Sequence, residues 1–209
     1  MKNLLLLICI FLTLRVTSQS LVEFNSERNH LDKGLMIGLA SWATSNFVVS
    51  GIGWATVPRS ETYYFHQMNV FWNSVNIALA IPGYFKAKND NRTLTLNETK
   101  KIQRKTENIF LINTGLDVVY ISSGFLLRNS TNSNPTNKNR LSGFGTSLII
   151  QGGFLFLFDL TAYAIHKLHA NKTLNKFEMS SRGIGIKWNL GIKPINSSPD
   201  NFSANFKAL

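Results

Sequence analysis

The sequence predicts an all-α membrane protein: a four-helix transmembrane bundle with an N-terminal signal peptide and a short strand-like C-terminal tail. Three observations predict this fold class. Only 16% of the 209 residues are charged, against about 25% in a typical soluble domain. Four long apolar stretches alternate with connectors that are rich in Asn, Lys and Ser. Each stretch is long enough to supply the roughly 20 residues that a helix needs to cross about 30 Å of hydrocarbon.

The same composition excludes several other classes of protein. The apolar stretches exclude an intrinsically disordered chain, and a single cysteine excludes a disulfide-rich scaffold. The net charge of +11 does not indicate nucleic-acid binding, because the basic residues lie between the apolar stretches and not on one folded face. A soluble bundle of buried helices is the competing interpretation, but apolar runs of this length favour a membrane.

Residues 1–20 have the pattern of a secretory signal peptide. Lys2 precedes an apolar run from Leu4 to Leu12, which is too short to cross a bilayer. The tripeptide at 18–20 then places serine at the two positions that a signal peptidase reads. Cleavage there would leave a mature chain that begins near Leu21.

Residues 21–166 form the predicted bundle. The second of its four apolar stretches is the most polar, and Pro82-Gly83 near its end predicts a kink or a helix end. Glycine and serine recur in the stretches, as in the pair Gly34 and Gly38, and small residues allow membrane helices to approach closely. We expect the spans at residues 34–57, 66–85, 107–127 and 143–166.

Residues 167–209 form a basic tail. Within it, residues 183–193 alternate between apolar side chains and glycine, lysine or asparagine, which is a strand pattern. A single strand is unstable in water, so this segment predicts pairing with a protein partner, a second copy or the membrane surface. From Asn196 onward the composition predicts disorder.

The sequence signals for orientation conflict. With four spans, the mature N-terminus, the basic connector at 86–106 and the tail share one side. The positive-inside rule makes that side cytoplasmic, whereas a cleaved signal peptide places it outside. An exception to the rule, an uncleaved N-terminal segment, or a second stretch that does not cross would each resolve the conflict. We favour four spans, because the second stretch, 66–85, is long for a re-entrant segment and has no charged residue.

Polar residues inside the spans form the candidate site, because such residues are costly in hydrocarbon and mark functional or packing positions. Helical spacing places them on stripes along the second, third and fourth spans. Their depth, counted at 1.5 Å per residue, separates two layers. The site comprises a central layer of Asn46, Asn73, Asn76 and Asp117, a shallower layer of Asn113 and Asp159, and Asn69, Tyr120 and Tyr163 on the same stripes.

Two interpretations of this polar core stay open. In the first, the residues hold helices together through hydrogen bonds that contribute about 0.6–2 kcal/mol each. A neutral Asp117 bonded to Asn73 or Asn76 would then fix the helix register. In the second, the core is a cavity for a small ligand, a proton or an ion, with Asp117 as the central acceptor and Asp159 as the entry group.

The sequence contains no catalytic signature, and we expect no catalytic residue, metal or cofactor. There is no HExxH motif and no glycine-rich phosphate loop outside a span. The four histidines do not place two ligands on different helices at mid-depth, as a bis-histidine haem requires. We expect all four histidines to be exposed or interfacial: His30, His66, His166 and His169.

Three strings of residues in the second to fourth spans carry a resemblance. They are Phe65-His-Gln-Met-Asn69 with Trp72-Asn73-x-x-Asn76, then Asn113-x-x-Leu116-Asp117-x-x-Tyr120, then Gln151-Gly-Gly-Phe-Leu-x-x-x-Asp159. This pattern resembles an uncharacterised family of small multispanning membrane proteins, a domain of unknown function, from Bacteroidota-type bacteria. The resemblance covers about residues 33–166. It implies a membrane location and no activity.

The sequence therefore predicts a non-enzymatic, multi-pass protein of a bacterial inner membrane, with a structural or binding role. The alternative is a small transporter or proton-linked carrier that uses Asp117 and Asp159. The expected partners are the lipid bilayer, an anionic lipid at the 86–106 connector and a protein at the 183–193 strand. Nucleic acid is not expected.

Overall fold

The fold is known from a computed structural model, which describes residues 2–131 and 133–181, with side chains for residues 20–131, 133–172 and 174. These residues form four helices and no strand. The predicted strand at 183–193 lies outside the described residues. The helices are α1 (Lys2–Thr56), α2 (Glu61–Asn89), α3 (Leu96–Arg128) and α4 (Pro135–Ser181).

The helices extend beyond the predicted spans. Helix α1 continues without a break through the expected cleavage position after Ser20, and α4 continues to Ser181, so the first part of the predicted tail is helical. Pro82 lies inside α2 and does not end it. The starts of two helices are fixed by side chains: Ser60 accepts a hydrogen bond from the Tyr63 N–H, and Thr95 forms a capping box with Glu98.

The helices pack in the order α1, α2, α4, α3. The main contacts join α1 to α2, α2 to α4, and α3 to α4, whereas α1 has few contacts with α3 or α4. Connections of only a few residues make α1 and α2 one antiparallel pair, and α3 and α4 another. The inner faces of α2 and α4 therefore join the two pairs.

All four helices share a segment whose outward face carries no charged side chain, which we call the apolar band. Its only carboxylates, Asp117 and Asp159, are buried, and large apolar side chains such as Ile52 and Leu126 are exposed. At 1.5 Å per residue the band is about 30–39 Å high on each helix, enough to match hydrocarbon about 30 Å thick. It covers residues 34–58, 62–85, 108–127 and 141–166.

Three helices are long and apolar enough to cross a membrane: α1 over Ser20–Thr56, α3 over Leu96–Arg128 and α4 over Pro135–Lys172. Helix α2 does not meet that standard, because its buried face carries asparagines. Its outer face is nevertheless apolar, with Phe71, Val75 and Leu79 each more than half exposed. The low average hydropathy of α2 therefore hides an apolar exterior around a polar interior.

Glycine brings α3 and α4 into backbone contact. A Cβ atom at Gly145 would lie 2.5 Å from the Gly124 carbonyl oxygen and 2.6 Å from the Arg128 nitrogen. The pair that spacing suggested, Gly34 and Gly38, does not lie at such a contact. A Cβ at Gly34 would meet no heavy atom within 4 Å, and one at Gly38 would meet only Phe158, at 3.9 Å.

Candidate functional site

The centre of the polar core is Asn69, which joins three helices. Its side-chain oxygen accepts hydrogen bonds from the Ser147 hydroxyl at 2.6 Å and from Gln151 Nε2 at 3.1 Å, both on α4. Its amide nitrogen donates to the Ser50 hydroxyl on α1 at 3.2 Å. Asn69 is 2% exposed, so these bonds replace the water that its amide lacks.

Gln151 extends this network to a second asparagine. Its amide nitrogen also donates to Asn46 Oδ1 at 3.3 Å, and its oxygen accepts from Trp42 Nε1 at 3.0 Å. The Trp42 ring in turn stacks on Phe154, with 3.9 Å between ring centroids. Asn69 thus bonds side chains of α1 and α4, and Gln151 bonds side chains of α1 and α2, so both amides use most of their hydrogen-bonding capacity between helices.

Sequence reasoning placed Asn46 and Asn69 in the core but did not assign Gln151 or Ser147 to the site. The missed signal was their spacing, since Ser147, Gln151 and Asp159 recur at four and eight residues on one stripe of α4. Ser50 was missed for the same reason, lying four residues after Asn46. Small hydroxyl and amide groups in an apolar stretch can therefore mark buried contacts between helices, as aspartate does.

Asn73 and Asn76 lie on the predicted inward face, but neither makes a described hydrogen bond to another helix. Asn73 donates to the Asn69 carbonyl oxygen of its own helix at 2.8 Å. Asn73 Oδ1 and Asn76 Nδ2 are buried without a hydrogen-bond partner. The expected bond between Asp117 and either asparagine is therefore absent among the described residues.

Asp117 instead lies beside Asp159 of α4, and Asn113, one turn earlier on α3, also lies beside Asp159. Asp117 Oδ2 is buried without a hydrogen-bond partner. Both carboxyl groups are almost completely buried. The two predicted layers are thus not separate here, because α3 and α4 cross so that the deeper and the shallower carboxyl meet.

The two tyrosines of the predicted site lie apart from its centre. Tyr120 makes an edge contact with Trp72 of α2, with 4.7 Å between ring centroids. Tyr163 is half-buried and lies one turn from Lys167, at the end of the apolar band. Tyr120 thus fills space between α2 and α3, whereas Tyr163 belongs to the boundary of the band.

A second polar cluster lies beyond the band, where α1, α3 and α4 continue past it; we call it the polar cap. Arg28 of α1 is fully buried, and its Nη2 lies 3.2 Å from Asp90 Oδ2. Arg28 Nε and Nη1 have no partner. Asn25 donates to Thr99 of α3 at 3.0 Å, and Asn29 donates to the Asp90 carbonyl oxygen.

Two histidines of α4 complete the polar cap. His166 is fully buried, with Nε2 3.1 Å from Asp32 Oδ1 and its ring stacked on Phe110. His169 stacks on Phe24, with 4.4 Å between ring centroids. His166 lies at the end of the apolar band, as expected of an interfacial histidine, but it is not exposed, because the extended helices enclose its side chain.

No group of three or more His, Cys, Asp or Glu side chains that could hold a metal occurs among the described residues. His66 lies far from the cap, half-buried against Gly53 of α1. The polar cap was not predicted, because residues 21–33 precede the first predicted span and no site residue was assigned to them. A signal was present: Leu21, Phe24 and Arg28 recur at helical spacing.

Comparison with known proteins places the chain in a family. The model of a family of unknown function, DUF6992, matches residues 38–160, and the chain belongs to this family. The match confirms the predicted domain of unknown function. It covers the polar core and begins after Arg28, so the α1 part of the polar cap lies outside it. No curated protein and no solved structure matches the chain.

Proposed function

We propose that this member of the DUF6992 family is a non-enzymatic integral membrane protein in which all four helices cross the bilayer. The apolar band carries the proposal, because it continues around α2 as well as the three helices of high hydropathy. Lys33, Lys86, Lys105 and Lys167 stand just outside the band on one side, and Arg59, Arg128 and Arg140 stand outside it on the other. A re-entrant second segment is not favoured, since α2 is one continuous helix of 29 residues.

The polar network around Asn69 and Gln151 supports a structural or binding role. In hydrocarbon, helices gain no hydrophobic free energy from contact with one another, so packing and hydrogen bonds hold them together. The network supplies bonds between α1, α2 and α4, and its central groups are satisfied. Such a core fixes the position of α2, whose asparagines would otherwise face lipid.

We expect Gln151→Leu to lower the free energy of unfolding by about 1–3 kcal/mol, because it removes the acceptor of Trp42 Nε1 and one of the two donors to Asn69 Oδ1. The measurement is thermal or SDS unfolding of the detergent-purified protein. Ser74→Ala is the matched control, since Ser74 is exposed and bonds only the Val70 carbonyl of its own helix. Equal unfolding of the two variants would contradict the structural role.

The cleaved signal and a bacterial inner-membrane location belong to the same proposal. They rest on the charged, apolar and small-residue pattern of residues 1–20. The intact mass of the purified protein tests the cleavage: a chain that begins near Leu21 supports it, and a full-length chain overturns it. A protein partner on the 183–193 strand is likewise proposed from its alternating sequence alone.

A second candidate function, a proton-linked carrier, is favoured by one observation. Asp117 and Asp159 are two buried carboxyl groups that lie side by side between α3 and α4, inside the apolar band. Buried carboxyl groups in membrane segments recur in proton relays. Asn113 lies beside Asp159, nearer to the polar cap, and adds a polar group between the carboxyl pair and that end of the molecule.

The carrier function predicts that Asp117→Asn abolishes transport without unfolding the protein. Proteoliposomes with an enclosed pH-sensitive dye would dissipate an imposed pH gradient faster than empty liposomes, and the variant would lose this difference. Its melting temperature would stay close to the wild-type value, since asparagine has nearly the same size and shape as aspartate. Equal rates for wild-type and empty liposomes would exclude proton movement and leave the structural role.

A further inference from the structure

The first half of α3 presents two opposite faces outside the apolar band. Its inner face contributes Thr99, Gln103 and Glu107 to the polar cap, all buried. Gln103 donates to Glu107 and to the carbonyl oxygen of His166. The outer face carries basic side chains, of which Lys101, Arg104 and Lys105 are exposed. The basic side chains of α3 therefore lie on its outer face, opposite the face that packs against the polar cap.

These three basic side chains differ in their pairing from the buried or paired charges of the polar cap. Elsewhere in the cap, Lys167 pairs with Glu107 at 3.1 Å and Arg28 pairs with Asp90. Among the described residues, no carboxylate forms an ion pair with Lys101, Arg104 or Lys105. The outer face of α3 thus keeps an unbalanced positive charge next to the apolar band.

An open groove of about 770 Å³ follows this face. It continues from the basic side chains across Asn108 onto exposed apolar surface, where Ile109 and Ile112 are 47% and 63% exposed. The described residues that line the groove all lie on α3. The groove begins at Asn97 and Lys100. From there, over about three turns of helix, its lining is basic, then amide, then aliphatic: Lys101, Arg104, Lys105, Asn108, Ile109 and Ile112.

We propose that this groove binds an anionic phospholipid, with the headgroup phosphate on Lys101, Arg104 and Lys105 and an acyl chain along Ile109 and Ile112. The inference rests on the proposed membrane location and names a partner for it. Charge complementarity favours an anion. The aliphatic continuation favours a lipid over a soluble phosphate, since a soluble anion gains nothing from Ile109 and Ile112. Basic clusters at the edge of a membrane helix attract anionic lipid at roughly fivefold per residue.

The test is lipid binding by native mass spectrometry, with the full chain in detergent titrated with phosphatidylglycerol or phosphatidylcholine. The variant K101Q/R104Q/K105Q removes the charges of the groove. The matched control, K86Q/K88Q/R92Q, removes three exposed charges at the same end of the molecule but outside the groove. The melting temperature of each variant confirms that it folds.

We expect wild-type and control to bind phosphatidylglycerol in preference to phosphatidylcholine, and the groove variant to lose on the order of 100-fold in affinity. Equal losses in both variants would show unspecific attraction and overturn the site. Displacement by millimolar inorganic phosphate would assign the site to a soluble anion and also overturn it. Resistance of the wild-type protein to carbonate extraction from membranes separately tests the membrane location, so the two failures are distinguishable.

Discussion

Replacing Gly145 with alanine is expected to destabilise the protein by about 1–3 kcal/mol, the usual cost of overpacking, and valine is expected to cost more. The added Cβ would lie 2.5 Å from the Gly124 oxygen, and the facing atoms at Arg128 also belong to the backbone. A backbone cannot rotate away as a side chain can. Helices α3 and α4 would have to separate, and their separation would also loosen the carboxyl pair between them.

The matched control for this substitution is Gly115→Ala on α3. A Cβ at Gly115 meets no heavy atom within 4 Å, so alanine there is expected to leave stability unchanged or to raise it slightly through its higher helix propensity. Unfolding in a graded series of SDS concentrations, followed by tryptophan fluorescence, compares the two variants. If Gly145→Ala unfolds together with Gly115→Ala, the close contact of α3 and α4 is not real.

Asp90→Ala is expected to lower stability by about 2–4 kcal/mol. Removing one partner of a fully buried ion pair costs about 3–5 kcal/mol. The expected value is smaller because the Asp90 side chain is 28% exposed, whereas Arg28 is fully buried. Two other guanidinium nitrogens of Arg28 already lack partners, so the variant would leave a buried charge with only Asn29 as its acceptor.

A double-mutant cycle makes the assignment specific. Arg28→Met is measured alone and in combination with Asp90→Ala. The double variant removes both charges, and it is expected to recover part of the stability that Asp90→Ala alone loses, because no unpaired charge remains. Glu23→Ala, which removes an exposed carboxylate from the same end of α1, is expected to have no measurable effect. Additive losses in the cycle would show that Arg28 and Asp90 do not interact.

The number and order of the helices could be predicted from the sequence because each is marked by a long apolar stretch between polar connectors. The inward position of Asn69 followed from its spacing with Asn73 and Asn76. The contact of Asp117 with Asp159 did not follow, because counting depth along separate helices ignores how they shift and cross. Counted by depth, Asp117 and Asp159 differ by about one helical turn. They nevertheless lie side by side, because α3 and α4 pack closely at their glycines.

The polar cap could not be predicted from hydropathy, because hydropathy identifies apolar segments and the cap is built from polar residues. Arg28 and His166 are buried, yet their residue types are typical of exposed or interfacial positions. The burial of each depends on a residue far away in the sequence: Arg28 pairs with Asp90, and His166 lies against Asp32. The mean hydropathy of α2 also understates how apolar its outer face is, because the average combines buried asparagines with exposed Phe71 and Leu79.

The polar interior of α2 has a consequence for synthesis. Asn69 finds one partner, Ser50, in the helix made before it, but its partners Ser147 and Gln151 come 78 and 82 residues later. At bacterial and eukaryotic translation speeds this delay is roughly 4–16 s. If all four helices cross the bilayer as proposed, the nascent α1–α2 hairpin keeps the Asn69 side towards the insertion machinery or water during that time, and the arrival of α4 releases α2 into lipid.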